Sequence, residues 1–210
     1  MNPSKTASQT DSLPVELAES PLDIVAIRAE FPILDQQVHG HRLVYLDSAA
    51  SAQRPAAVIR TIADYYTKDH ANVHRGAHEL SVRATRRYEE ARGKVARFLG
   101  AGRADEIVFT RSTTESINLV SMAWGTANLG PGDVVVVSEM EHHSNLVPWQ
   151  LVCERTGAEI KAIRVTDDQC LDLDHLEILL GEGDVRLVAT GHVSNAVGTI
   201  HPVDEIARRV

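Results

Sequence analysis

Residues 134–137 are four consecutive valines, set between Asp133 and Ser138. Such a run cannot alternate between core and water. It reads as a strand buried on both faces, which happens when helices cover both sides of a parallel sheet. The residues around it keep the same rhythm. Apolar stretches at 106–110, 159–165 and 185–190 predict further strands, and segments 112–124, 145–156, 171–180 and Val203 onward predict the helices between them. Earlier in the chain, 23–29 reads as a short helix and 42–47 as a short strand. Pro55 suits the first turn of a helix whose apolar face carries Val58, Ile59, Ile62, Tyr65 and Tyr66. Ala84, Tyr88, Ala91, Val95 and Phe98 mark a longer helix that stops at Gly100. The fold class expected is α/β, a mostly parallel sheet covered by helices.

In such sheets ligands bind outside the carboxyl ends of the strands, and there the polar residues gather. The segment "EMEHHSN" follows the valine strand. Adjacent histidines point in different directions, so one of His142 and His143 can face a site and stack on a flat ligand while the other packs or caps. Two loop histidines meeting water is an equal alternative. "RSTTES" places Ser112 and Glu115 at capping-box spacing. With the hydroxyls of Thr113 and Thr114, that helix start can hold a phosphate; an ordinary capped helix is the alternative. "HVSNAVGT" puts Asn195 at the end of a fourth strand, either bonding a ligand or forming an Asx turn. His70, His74 and His78 are four apart, the stripe a zinc helix would use, but Gly76 argues against an unbroken helix and no acid completes a ligand set. A loop carrying His74 and Arg75 toward an anion fits better, and no metal site is expected. Hydroxyls, an imidazole and an amide delivered to one sheet edge describe a ligand with a phosphate, a flat ring and a polar ring substituent. Pyridoxal 5'-phosphate has all three.

Composition narrows the partners. The formal net charge of -8 and pI near 5.7 argue against nucleic acid or an anionic membrane surface. No apolar run reaches the roughly 18 residues a bilayer span needs. Residues 1–22 hold no apolar signal core and read as a disordered lead-in. Cys153 and Cys170 form no CxxC pair, which suits a reducing cytoplasm, and neither has a visible activating neighbour.

The motifs "YLDSAASAQRP", "VHRGAHELS", "RSTTESINLV", "EMEHHSNLVPWQ" and "HVSNAVGTI", in this order, resemble the class V aminotransferase family of pyridoxal-phosphate fold type I. Within it they resemble the Suf-type cysteine desulfurases and the related selenocysteine lyases. The resemblance implies that Thr113 and Thr114 hold the cofactor phosphate, that the catalytic His142 stacks on the ring and helps move protons, and that Asn195 bonds the ring's phenolic oxygen. It implies a substrate pocket with Ala49 and Ala50, and His74 and Arg75 near substrate and dimer interface. It implies L-cysteine as substrate, a homodimer in the full-length form, and a SufE- or SufU-like sulfur-acceptor protein in iron–sulfur cluster assembly. In such enzymes a lysine carries the cofactor and a cysteine thiolate takes the substrate sulfur, leaving alanine. Neither Lys94 nor Lys161 matches that lysine, and neither Cys153 nor Cys170 matches that nucleophile. The chain is therefore expected to be an N-terminal fragment: 23–210 would be the N-terminal segment and first part of the large domain, without the remaining large domain or the small domain, and inactive alone. The alternatives are a selenocysteine lyase or other class V carbon–sulfur lyase, and a non-catalytic half-domain.

Overall fold

The structure, a computed structural model, describes residues 22–210. The lead-in expected over 1–22 lies, except for Leu22, outside the described residues. Two compact units meet within one helix, one reaching to Ala91 and the other Arg92–Val210.

In the first unit Asp23 caps α1 (Ile24–Ala29), its carboxylate accepting the Ala26 N–H at 2.9 Å. A two-residue hairpin follows, β1 (Gln37–Val38) with β2 (His41–Arg42). Its turn is made by His39 and Gly40, both at positive φ. The strand expected at 42–47 is thus confined to its first residue. Helix α2 (Ala56–Lys68) begins directly after Pro55 as expected. Its apolar stripe forms, although Val58, Ile59, Ile62 and Tyr66 on it remain exposed. Helix α3 (Glu79–Leu99) ends at Gly100, whose φ of 71° gives the left-handed turn.

The second unit is the expected parallel sheet. Its elements are α4 (Thr113–Val120), α5 (Thr126–Asn128), β3 (Asp133–Ser138), α6 (Val147–Thr156), β4 (Glu159–Ile163), α7 (Leu173–Gly181), β5 (Asp184–Ala189) and α8 (Val203–Arg209). A π-helical turn, Ser121–Gly125, joins α4 to α5, so the helix expected over 112–124 forms from Thr113 and runs on to Asn128, widened in its middle. The strand order is β4-β3-β5, all parallel, with the valine strand in the middle. Arg186 is skipped in the β3–β5 register, a bulge beside Val134 and Val135.

Central placement explains the valines. Val134 and Val136 face Ile163, Leu176, Leu179 and Ile206, so α7 and α8 cover that side. Val135 and Val137 face Leu129, Trp149, Val152 and Cys153, under α5 and α6. Both faces are dry, which is why no polar residue interrupts the run.

The strand expected at 106–110 does not form. Residues 104–106 make a single 3-10 turn, and 107–110 join no ladder among the described residues. An apolar extended segment becomes a strand only when a neighbour accepts its backbone hydrogen bonds, and 107–110 pairs with neither edge strand of the order β4-β3-β5. Among the described residues no helix is long and apolar enough to cross a membrane.

Candidate active site

Three chain segments converge at the carboxyl edge of β3 and β5. The first is the start of α4. Ser112 is extended, at φ -167° and ψ 165°, and its Oγ accepts the Glu115 N–H at 3.2 Å. The carboxylate of Glu115 turns to Arg111, accepting its guanidinium N–H groups at 3.2 Å and its backbone N–H at 2.6 Å. Those bonds hold the Glu115 carboxyl below the usual carboxylate range. The first-turn N–H groups of Thr113 and Thr114 keep no partner inside the helix, as at every α-helix start.

The second segment is the exit of β3. Ser138 is buried, and its hydroxyl donates to Glu141 Oε1 at 2.7 Å. Glu141 Oε1 also accepts the Gly191 N–H at 2.9 Å, and Oε2 accepts the Asn145 amide at 2.8 Å. Asn145 Oδ1 in turn accepts the indole N–H of Trp149 at 3.1 Å. One carboxylate therefore ties the exit of β3, the start of α6 and the exit of β5.

His142 follows Glu141 and caps the 3-10 turn His143–Asn145. Its Nδ1 accepts the Ser144 N–H at 3.1 Å and lies 2.8 Å from Ser144 Oγ. A backbone N–H can only donate, so Nδ1 is the bare nitrogen and the neutral ring carries its proton on Nε2. The His143 ring stands 6.3 Å from that of His142, at 76° to it. The two histidines diverge, as adjacent residues should.

The third segment is the exit of β5, residues 190–201. It folds back on itself through Ser194 N–H to Thr199 carbonyl, 2.9 Å, and a bridge of Val193 with Ile200. Gly198, at φ 81°, makes the turn and donates to the Ser194 carbonyl at 2.9 Å. Asn195 sits on this hairpin and is exposed.

Together these segments line a cavity of about 280 Å³. Thr113, His142 and Asn195 all border it, with Glu141, Ser194 and His201. Thr114 does not; it is exposed one residue further into α4, and its carbonyl accepts the Asn118 amide at 2.8 Å. The residues expected in the substrate pocket all belong to the first unit. Ala49 and Ala50 are exposed in a turn closed by Ser51 N–H to the Asp47 carbonyl, 3.0 Å. Arg75 is exposed, and His74 has φ 65° with its Nε2 2.9 Å from Glu89 Oε1 and its ring edge-on to Tyr88.

The histidine stripe disperses. His70 packs edge-on against Tyr65, His74 meets Glu89, and His78 Nδ1 accepts from Ser81 N–H at 3.4 Å. Among the described residues no three His, Cys, Asp or Glu side chains are grouped to hold a metal ion.

Sequence reasoning missed Glu141 and His201. Glu141 carried a usable signal, an acid just beyond a buried strand. His201 carried none, because its role depends on how the hairpin closes.

The aminotransferase class-V family model matches residues 44–210. A probable cysteine desulfurase of Synechocystis sp. is 51% identical over 182 residues, 87% of this chain and 43% of that protein. The apo structure of cysteine desulfurase from Thermococcus onnurineus NA1 superposes with a TM-score of 0.79 at 39% identity, covering 89% of this chain and 44% of the other. A structure of SspA in complex with cysteine gives a TM-score of 0.69 at 25% identity, over 80% of this chain and 47% of the other. The chain thus spans a little under half the length of these relatives.

Proposed function

The chain belongs to the aminotransferase class-V family, and from that membership we propose that it is the cofactor-binding part of a cysteine desulfurase that holds pyridoxal 5'-phosphate. The observation that carries the reading is the meeting of Thr113, His142 and Asn195 around one cavity. The donor set fits the cofactor. The Thr113 hydroxyl and the free first-turn N–H groups of Thr113 and Thr114 would take the phosphate dianion at the positive end of α4. The His142 ring would lie against the pyridine, with Nε2–H as the proton it can offer. The Asn195 amide would donate to the phenolic oxygen. When bound, the cofactor supplies an electron sink at the substrate carbon. The residues of this chain bind and orient it.

The substrate of this reading is L-cysteine, supported by the named activity of the relatives and by the cysteine bound in SspA. The finer reading is a Suf-type enzyme, cytoplasmic and homodimeric in its full-length form, passing sulfur to a SufE- or SufU-like acceptor for iron–sulfur cluster assembly. Ala49, Ala50, His74 and Arg75 are assigned to the substrate side. Among the described residues no lysine borders the cavity. Lys161 instead meets Glu182 at 3.4 Å, and Cys153 is buried against the Glu159 carbonyl. The 210-residue chain alone is therefore proposed to bind cofactor without releasing alanine from cysteine.

Equilibrium titration with pyridoxal phosphate, followed by quenching of tryptophan fluorescence, tests the site. Saturable binding weakened about tenfold by Asn195→Ala or His142→Ala is expected, the size of one lost charged or buried hydrogen bond. Binding untouched by either change would overturn it. Alanine release by this chain, followed by chromatography, would overturn the proposed inactivity.

A further inference from the structure

His201 is 3% exposed and lies under the hairpin that carries Asn195. Its backbone N–H donates to the His192 carbonyl at 2.8 Å, closing the base of that hairpin. Its ring Nδ1 is 2.7 Å from the Gly191 carbonyl. A carbonyl oxygen can only accept, so Nδ1 carries the proton and Nε2 is left as a bare acceptor. That Nε2 is buried with no hydrogen-bond partner. Gly191 is also the residue whose N–H is held by Glu141. Both polar groups of Gly191 are thus gripped by side chains, the N–H by Glu141 from outside the hairpin and the carbonyl by His201 at its base.

We infer that His201 is a positioning residue for Asn195, acting through its Nδ1–H on the Gly191 carbonyl and through the hairpin that this bond anchors. The imidazole serves by one nitrogen alone; the other is a cost of using histidine there. Asparagine at 201 would present an amide N–H where Nδ1–H now stands, with its Oδ1 and second N–H taking over from Nε2 as the groups left unpaired. Leucine would keep the bulk and lose the donor. The inference leans on the proposed cofactor site only in what Asn195 is being positioned for.

Amide hydrogen exchange of the cofactor-free chain reads the clamp directly. In His201→Leu, exchange at Ser194 and Gly198 should quicken by about tenfold or more, the effect of one buried hydrogen bond, while Val135 in the sheet core keeps its protection. In His201→Asn both hairpin amides should stay within about threefold of the parent chain. Any other pattern, above all protection kept by leucine or lost with asparagine, would overturn the inference. A second arm titrates pyridoxal phosphate. His201→Leu should weaken binding in the parent chain and add nothing in an Asn195→Ala background, whereas additive losses overturn the coupling. If exchange behaves as expected but the parent chain does not bind pyridoxal phosphate, the proposed function falls and the clamp stands.

Discussion

Glu141 and Gly191 are fifty residues apart in sequence, yet the carboxylate of one accepts the backbone N–H of the other at 2.9 Å. That bond ties the loops leaving β3 and β5, and so fixes His142 relative to the hairpin bearing Asn195. Three donors converge on this one carboxylate, from Ser138, Asn145 and Gly191.

Replacing Glu141 by glutamine keeps the shape and spoils the bonding. An amide offers one oxygen and one NH2, so its NH2 must confront the Gly191 N–H or the Asn145 amide. Asn145 cannot turn over without abandoning the Trp149 indole. Glu141→Gln should therefore lose about 1–3 kcal/mol, the cost of a buried donor left unpaired. Urea unfolding measures it, and a variant as stable as the parent would contradict the network.

Glu115 sets an acid-side dependence. Its bonds from Arg111 hold the folded carboxyl below the ordinary value of 4.5. A group depressed in this way adds stability above that value and loses it as pH falls through the folded pKa. Asp64, bonded by Lys68, and Asp168, bonded by Thr166, act in the same sense. The Glu115→Gln variant should thus lose less of its melting temperature than the parent chain between about pH 6 and about pH 3. Parallel melting curves across that range would remove Glu115 from the acid response.

Legibility in the sequence followed the range of the interactions involved. The valine strand and the helices after it were readable because burial on both faces and 3.6-residue periodicity are written in neighbouring residues. The cap at Ser112 was readable for the same reason, but only half of it: Ser112 accepts from Glu115 as the spacing implies, whereas Glu115 bonds Arg111 rather than Ser112. Segment 106–110 carries strand composition and forms no strand, since pairing needs a partner that local residues do not specify. His142 and Asn195 could be placed at one edge from the ends of β3 and β5, whereas Thr113 borders the same cavity although the strand expected before it does not form. Which tautomer His142 holds, and what holds Asn195, depended on Ser144 and His201 contacts that only closure of the loops creates.

The two cysteines should separate cleanly in reactivity. Cys153 is 3% exposed, and burial pushes its thiol above the ordinary range. Cys170 is exposed on the turn between β4 and α7. The thiolate is the reacting form, so a buried thiol with raised pKa is doubly protected. Iodoacetamide on the native chain should label Cys170 at least about tenfold faster than Cys153, with both labelled equally in urea; peptide mass spectrometry reads the ratio. Equal native rates would mean that the α6 face opens readily.

Gly76 breaks the histidine stripe for a reason of space as well as helix propensity. A Cβ built on it would stand 2.5 Å from the Ser81 Cβ and 2.6 Å from its Oγ. Ser81 is 1% exposed, and its hydroxyl accepts the Gly76 N–H at 3.0 Å while donating to the Asn72 carbonyl at 2.6 Å. The loop carrying His74 and Arg75 is pinned to α3 at that point. Gly76→Ala must push the loop off Ser81 and strain both bonds, an overpacking cost of about 1–3 kcal/mol. Adding Ser81→Ala should not rescue it, because the Cβ in the way remains and the hydroxyl is lost as well. Adding Ser81→Gly should restore part of the loss by clearing the contact. Urea unfolding of the three variants orders them, and a Gly76→Ala chain as stable as its parent would mean that the loop does not sit against Ser81.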